Sequence, residues 1–333
     1  MKKLWAVLLV LALTGSAAFA KGGAAGKSSG GVTKGMDRKI VLGYSQSGAE
    51  SEWRTACTNS VKAAAEEYNI ELVFTDAQQK QENQLKAIRS FITRKVDIIA
   101  FTPVVSSGWE AVLQECKDAK IPVICVDRTI DGPDTLFTAF IGSDFKKEGV
   151  MSADWLVAYM EKIGRGSKDP LNVVELQGTV GAAAATDRQI GFMEVLAKYP
   201  NYKVIKTQTG NFTRAEGKQV MEAFLKSDGD QIDVLFAHND DMAIGAIQAI
   251  EEYGRKPGED IIIVSIDAVK GAFEAMMAGT LNASIECNPL LGPPVMETAV
   301  KILKGESVPK KVYSVDNTFD QSNAAAAFPT RKY

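Results

Sequence analysis

The chain has 333 residues, 46% of them apolar and 8% aromatic, enough for one large or two medium domains with buried cores. Its 38 Lys and Arg stand against 41 Asp and Glu; the first 37 residues hold five Lys and one Asp, so the rest carries 33 bases against 40 acids. That acidic balance excludes a phosphate backbone as the expected partner, and no nucleic acid is anticipated.

MKKLWAVLLVLALTGSAAFA begins with two lysines, runs apolar from Leu4 to Leu13 and ends in the small-residue site Ala18-Phe19-Ala20. This is the layout of a secretory signal cleaved after Ala20, and its apolar run is about half a membrane-spanning length. No Cys follows the site, which argues against a lipid anchor, and no later segment is long and apolar enough to span. An exported, periplasmic protein is expected. Residues 21–37 are mostly Gly, Lys and Ser with almost nothing to bury, and read as a flexible linker.

From Arg38 short β-rich runs alternate with helical stretches. KIVLGYS precedes a helix over Glu52–Tyr68, IELVFTDA precedes Glu82–Arg94, and VDIIAFTP precedes Trp109–Ala119. PVICVD and FTAFIGSD precede Lys146–Lys162, and NVVELQG precedes Ala182–Tyr199. YKVIKTQTG leads into Arg214–Lys226 and IDVLFAHND into Met242–Tyr253, with DIIIVSIDA closing the series. In Glu82–Arg94, Leu85, Ile88, Phe91 and Ile92 share one helical face. Continuous apolar strands alternating with helices imply parallel sheets covered on both faces. About nine or ten such units exceed a comfortable single sheet, so two doubly wound α/β domains are expected. A (βα)-barrel is the competing architecture, since eight units would fill it.

Missing motifs narrow the chemistry. GYSQSGAESEW, after the first strand, lacks the G-x-G-x-x-G of dinucleotide binding, and no G-x-x-x-x-G-K-[ST] occurs. VELQGTVGAAAAT has the glycines and helix start of an anion site but no lysine for a triphosphate. His238 is the only histidine, no Cys, His or carboxylate set is spaced for a metal, and no G-x-S-x-G elbow is present. No catalytic residue, metal or cofactor is expected. Cys57, Cys116, Cys125 and Cys287, widely and irregularly spaced, read as buried free thiols, with room left for one disulfide.

Polar groups gather instead at strand ends: Gln46, Asp127 with Arg128, Gln177, Asn239 with Asp240, and Asp267. Glu50, Asp127 and Asp267 have Arg54, Arg128 and Arg188 as ready partners, a pairing that lowers a carboxyl pKa and disfavours a general acid near neutral pH. Adjacent acid and base offer fixed acceptors and donors, each charge-assisted bond worth about 1.5–3 kcal/mol. A sugar hydroxyl is both donor and acceptor. Trp53, inside the polar run SEWRT, and Phe212, just before a helix, are placed to supply faces for sugar C–H groups. A plain salt bridge for Asp127 and Arg128, and a plain core role for Phe212, stay open at this level.

The segments GYSQSGAESEWRTA, DAQQKQENQLKAIRSF, PVVSSGWE, VDRTID, NVVELQGTVGAAAATDRQIGF, GNFTRAEGKQVMEAF and AHNDDMAIGAIQAI carry a resemblance. From about Lys39 to Glu286 the chain resembles the periplasmic sugar-binding proteins of the ribose/galactose-binding type, the capture components of ABC importers. Within that family it closely resembles the galactofuranose-binding branch. The resemblance implies the periplasmic binding protein type I fold, two Rossmann-like doubly wound domains joined by a three-crossover hinge. One lobe would comprise residues 38–140 plus 288–315, and the other 141–287 plus 316–333. A monosaccharide, galactofuranose or a related aldose, would lie in the cleft.

Carried over residue by residue, the implied ligand contacts are Gln46, Glu50, Trp53, Arg54, Asp127 and Arg128 in the first lobe. Arg188, Phe212, Asn239, Asp267 and Glu286 serve in the second, Glu286 taking over a contact because Cys287 stands where ribose-binding relatives place Gln. Glu52 and Ser47 are further departures, replacing Gly and Val. The implied partners are the membrane permease subunits of an ABC importer, with the protein itself a monomer, without cofactor and not an enzyme. A sugar-responsive repressor shares this core but would carry a basic helix-turn-helix before residue 38, where the leader and linker stand. A sensor subunit presenting its loaded form to a chemoreceptor or membrane kinase stays open beside transport.

Overall fold

The computed structural model describes residues 38–333; the leader, its cleavage site and the linker expected over residues 1–37 lie outside the described residues. The first half of the chain alternates β1 (Val41–Gln46), α1 (Glu52–Glu67), β2 (Glu71–Asp76), α2 (Gln81–Thr93), β3 (Ile98–Phe101), α3 (Glu110–Asp118), β4 (Val123–Val126) and β5 (Ala139–Gly142). The second half repeats the scheme with α4 (Phe145–Lys162), β6 (Leu171–Gln177), α5 (Ala183–Leu196), β7 (Tyr202–Thr209), α6 (Arg214–Asp228), β8 (Val234–Ala237), α7 (Asp240–Tyr253), β9 (Ile262–Asp267), α8 (Lys270–Ala278) and β10 (Ala283–Glu286). It ends with α9 (Gly292–Leu303), β11 (Lys311–Tyr313), β12 (Thr318–Asp320) and α10 (Ala324–Ala327).

Two six-stranded sheets result, ordered β2-β1-β3-β4-β5-β11 and β7-β6-β8-β9-β10-β12. Both are parallel except for β12, which runs antiparallel to β10. Two open sheets with the same doubly wound order rule out the barrel. Burial on both faces explains the apolar runs. In β3 and β4, Ile98, Ala100, Ile124 and Val126 face one core, while Ile99, Phe101, Val123 and Cys125 face another built with Phe91 and Trp109.

The chain passes between the sheets three times: at Ser143–Asp144, over residues 287–291 and over residues 314–317. Ser143 and Ser314 join two of these passages through a 2.7 Å hydroxyl–hydroxyl hydrogen bond, and an Asp316 carboxylate oxygen lies 3.2 and 3.1 Å from the two hydroxyls. In each sheet the strand order reverses between the first and third strands, and there a crevice opens at the carboxyl ends. Elements after Ala268 extend the series recognised in the sequence. β10, β11 and β12 have four, three and three residues, too short to show a periodicity. All four cysteines are buried and free, Cys125 in β4 and Cys57 and Cys116 in helices.

Candidate functional site

Between the facing strand ends lies a pocket with about 280 Å³ of empty space. From the first sheet it is lined by Glu50, Ser51, Trp53, Arg54, Asp127 and Arg128, and across the gap by Phe145, Ala184, Arg188, Phe212, Asn239, Asp267 and Cys287. Nine of the eleven residues expected from sequence are thus brought together. Gln46 and Glu286 stand behind the wall rather than in it. Phe145, Ser51, Ala184 and Cys287 are lining residues that the sequence reading does not include; the apolar Phe145 directly after the strand-end sequence IGSD is the available signal.

The helix start builds one side. Ser51 caps α1, its hydroxyl accepting from the Arg54 amide at 3.0 Å, which orients the first turn toward the pocket. Arg54 then donates to Asp127 at 2.7 Å, to Glu50 at 3.2 Å and to Gln46 Oε1 at 3.4 Å. Gln46 is therefore a support for Arg54. The Trp53 indole N–H donates to the Cys287 carbonyl at 2.5 Å.

Asp127 leaves β4 with a left-handed φ of +65°, and its amide donates to the Ile141 carbonyl. Gly142 makes room for this turn, since a Cβ there would sit 2.6 Å from the Asp127 carbonyl oxygen. The neighbouring pair suggested by the sequence is not the tight one. Arg128 approaches Asp127 only at 3.8 Å and Glu50 at 3.6 Å, while its Nη1 donates to the Val104 carbonyl at 3.0 Å. Its guanidinium lies 5.2 Å from the Phe212 ring centroid, across the gap. The buried Arg128 Nε and Glu50 Oε2 have no hydrogen-bond partner, leaving a donor and an acceptor for a ligand.

On the second side Arg188 donates to Glu148 at 2.7 Å and to the His238 carbonyl at 2.5 Å, and lies 3.7 Å from Asp267. Asn239 caps α7 through the Met242 amide and donates to the Phe212 carbonyl at 3.1 Å. Phe212, itself at φ +62°, fits because residue 178 is glycine: a Cβ there would fall 1.9 Å from the ring. His238 is buried beside Glu175 at 2.9 Å, away from the lining. The edges of the cleft are tied by the Ser106 amide to the Gly181 carbonyl at 2.8 Å and the Glu52 amide to Asp241 at 2.7 Å.

Electrostatics differ between the two sides. Burial works against ionisation of Glu50, but Arg54 and Arg128 outweigh it and hold its carboxyl below the usual range. Burial, then the neighbouring Arg54, push Arg128 down to about 10, still charged at neutral pH. Asp267 departs from expectation. Burial raises its carboxyl well above the usual range despite Arg188, whose short bond goes to Glu148 instead. Arginine pairing therefore keeps Glu50 acidic and does not do so for Asp267.

Glu148 yields a pH prediction. Burial pushes its carboxyl up to about 7 against the pull of Arg188. The folded state thus holds a proton that the unfolded chain releases, so stability falls as pH rises from about 4.5 to about 7, by an amount on the order of 3 kcal/mol. Asp240 and Asp316, raised by burial to about 7 and about 6, act with the same sign. His238, depressed by burial, acts with the opposite sign. Glu148→Gln keeps an acceptor for Arg188 and should flatten the decline; melting curves at pH 4.5 and 7.5 with the same difference in both proteins would reject this assignment.

Residues 42–307 match the periplasmic binding protein domain family. The galactofuranose-binding protein YtfQ of Escherichia coli (strain K12) is 49% identical over 282 residues, 84% of this chain and 87% of that protein. A Mycobacterium smegmatis protein solved in complex with β-D-fucofuranose is 52% identical with a TM-score of 0.85, over 88% of this chain and 95% of that one. The periplasmic binding component of the arabinose ABC transporter from Shewanella sp. ANA-3, bound to α- and β-L-arabinofuranose, is 49% identical with a TM-score of 0.83, over 88% and 96%.

Proposed function

The chain belongs to the periplasmic binding protein domain family, and from that premise we propose that it captures a monosaccharide in its furanose form and hands it unchanged to an ABC importer. Galactofuranose or a related aldose is the ligand. One observation carries the reading: the buried pocket sets Arg54, Arg128 and Arg188 among Glu50, Asp127 and Asp267 and leaves the buried Arg128 Nε and Glu50 Oε2 without protein partners. A buried donor and acceptor left open call for a ligand that can supply both. The hydroxyls of a neutral polyol do so, each being donor and acceptor. Trp53, Phe145 and Phe212 supply faces for its C–H groups.

The furanose form is supported by the fucofuranose and arabinofuranose held by the two similar structures. The lobes are residues 38–140 with 288–315 and 141–287 with 316–333, a division supported by β11 joining the first sheet and β12 the second. Delivery to permease subunits, a monomeric state, cleavage after Ala20 and the lack of enzymatic activity belong to the same reading. Calorimetric titration with galactose, arabinose and ribose, then NMR of the bound ¹³C-labelled sugar and recovery of the ligand, tests it. Galactose or arabinose should bind as the furanose and be recovered unchanged. Because furanose is only a fraction of the free sugar, apparent affinity is reduced by that fraction. A bound pyranose would overturn the ring form, and a chemically altered sugar the capture role.

A further inference from the structure

Asp267, which lines the pocket, and Ala268 directly after it hold backbone conformations that side chains disfavour, at φ +127° and φ +57°. Such geometry persists only where the surroundings over-determine it. Four bonds do so. The Ala268 amide donates to Ser284 at 2.9 Å, the Val269 amide to Asp240 at 3.0 Å, and the Cys287 amide to the Asp267 carbonyl at 3.3 Å. The fourth comes from outside the site: Arg331 Nη2 donates to the Ala268 carbonyl at 3.1 Å.

Arg331 also reaches the strand end next door. Its Nη1 donates to Glu286 at 2.8 Å, and the Tyr333 hydroxyl donates to the same carboxylate oxygen at 2.6 Å. Burial opposes ionisation of Glu286, but bonds from Tyr333, Asn317 and Arg331 hold its carboxyl below the usual range. The guanidinium lies 4.4 Å from the Tyr333 ring centroid, 4.9 Å from Phe319 and 5.2 Å from Phe273, and its side chain is 10% exposed. Glu286 is followed by Cys287, which lines the pocket and receives the Trp53 indole N–H.

We propose that Arg331 and Tyr333 are positioning residues for the sugar site, clamping the strand ends that carry Asp267 and Cys287 through Ala268 and Glu286 while touching no sugar themselves. Glu286, expected from the sequence to be a ligand contact, is on this view the anchor of the clamp. The inference rests on the reading of the pocket as a monosaccharide site.

Calorimetry of wild type, Arg331→Ala, Arg331→Lys and Tyr333→Phe with the sugar that wild type binds, well below each melting temperature, tests it. Arg331→Ala should raise Kd at least tenfold. Arg331→Lys should fall between, because an ammonium keeps the charge at Glu286 without the planar fork that also reaches Ala268. Tyr333→Phe should raise Kd a fewfold. A merely structural staple would lower melting temperatures and leave Kd unmoved, so a folded Arg331→Ala within twofold of wild type overturns the clamp. Should Arg331→Ala fail to fold, Arg331→Lys and Tyr333→Phe both within twofold overturn it equally. Wild type binding none of the sugars overturns the binding reading and the clamp with it; unchanged affinity in the variants overturns the clamp alone.

Discussion

Replacing Arg128 by alanine should weaken sugar binding by about 2–5 kcal/mol, or roughly thirty-fold to several thousand-fold in Kd, in a protein that still folds. Arg128 is the cation with the most unspent capacity in the pocket. Its Nε is buried without a partner, and its contacts with Glu50 and Asp127 are 3.6 and 3.8 Å, longer than hydrogen bonds. A sugar hydroxyl placed there would complete the guanidinium rather than compete with another partner. Its stacking on Phe212 also joins the two sides of the cleft, so the loss should appear in the closed, loaded state. Stability should suffer less, because Asp127 keeps its 2.7 Å bond to Arg54. What the fold loses is chiefly the donor to the Val104 carbonyl, about 1–3 kcal/mol for a buried acceptor left unmade. Arg128→Lys should recover only part of the affinity. Calorimetry with melting curves as a control checks this, and a folded Arg128→Ala within threefold of wild-type Kd would sink it.

The same two residues mark how far sequence reasoning reaches. That Asp127 and Arg128 end a buried strand was legible, because VICV has no polar residue and both faces of β4 are covered. Gln46, Asn239 and Asp267 also fall at carboxyl ends of parallel strands, where doubly wound sheets open their crevices. The pairing was not legible. Asp127 turns through a positive φ and meets Arg54, which comes from a helix 73 residues earlier, so adjacency in the chain misled.

Glu286 shows a second limit. In a strand, successive side chains face opposite ways, so contact with the ligand hinges on a single residue of register. The fourth position of β10 faces Asn317, Arg331 and Tyr333, and the next residue, Cys287, takes the pocket. The residues that anchor Glu286 follow it in the chain by 31, 45 and 47 positions. No local pattern announces such a contact.

Arg54→Ala should be the more damaging change to the fold, costing about 3–5 kcal/mol of stability as well as binding. Glu50 and Asp127 are 2% and 4% exposed in their side chains, and Arg54 supplies the short bond to each. Without it only Arg128 remains, at distances too long to replace those bonds. The cost is that of uncompensated buried charge more than of lost attraction. Removing one of the stranded carboxylates should therefore repair the fold: Arg54→Ala with Asp127→Asn should be more stable than Arg54→Ala alone, a positive coupling expected of residues in one network. It should not repair binding, since the pocket then lacks both a donor and an ionised acceptor. Denaturant unfolding of the two single variants and the double gives the coupling, and calorimetry gives the affinity. An Arg54→Ala protein losing less than about 1 kcal/mol, the worth of an exposed ion pair, would mean that solvent reaches these carboxylates and would reject the buried-charge account of the network.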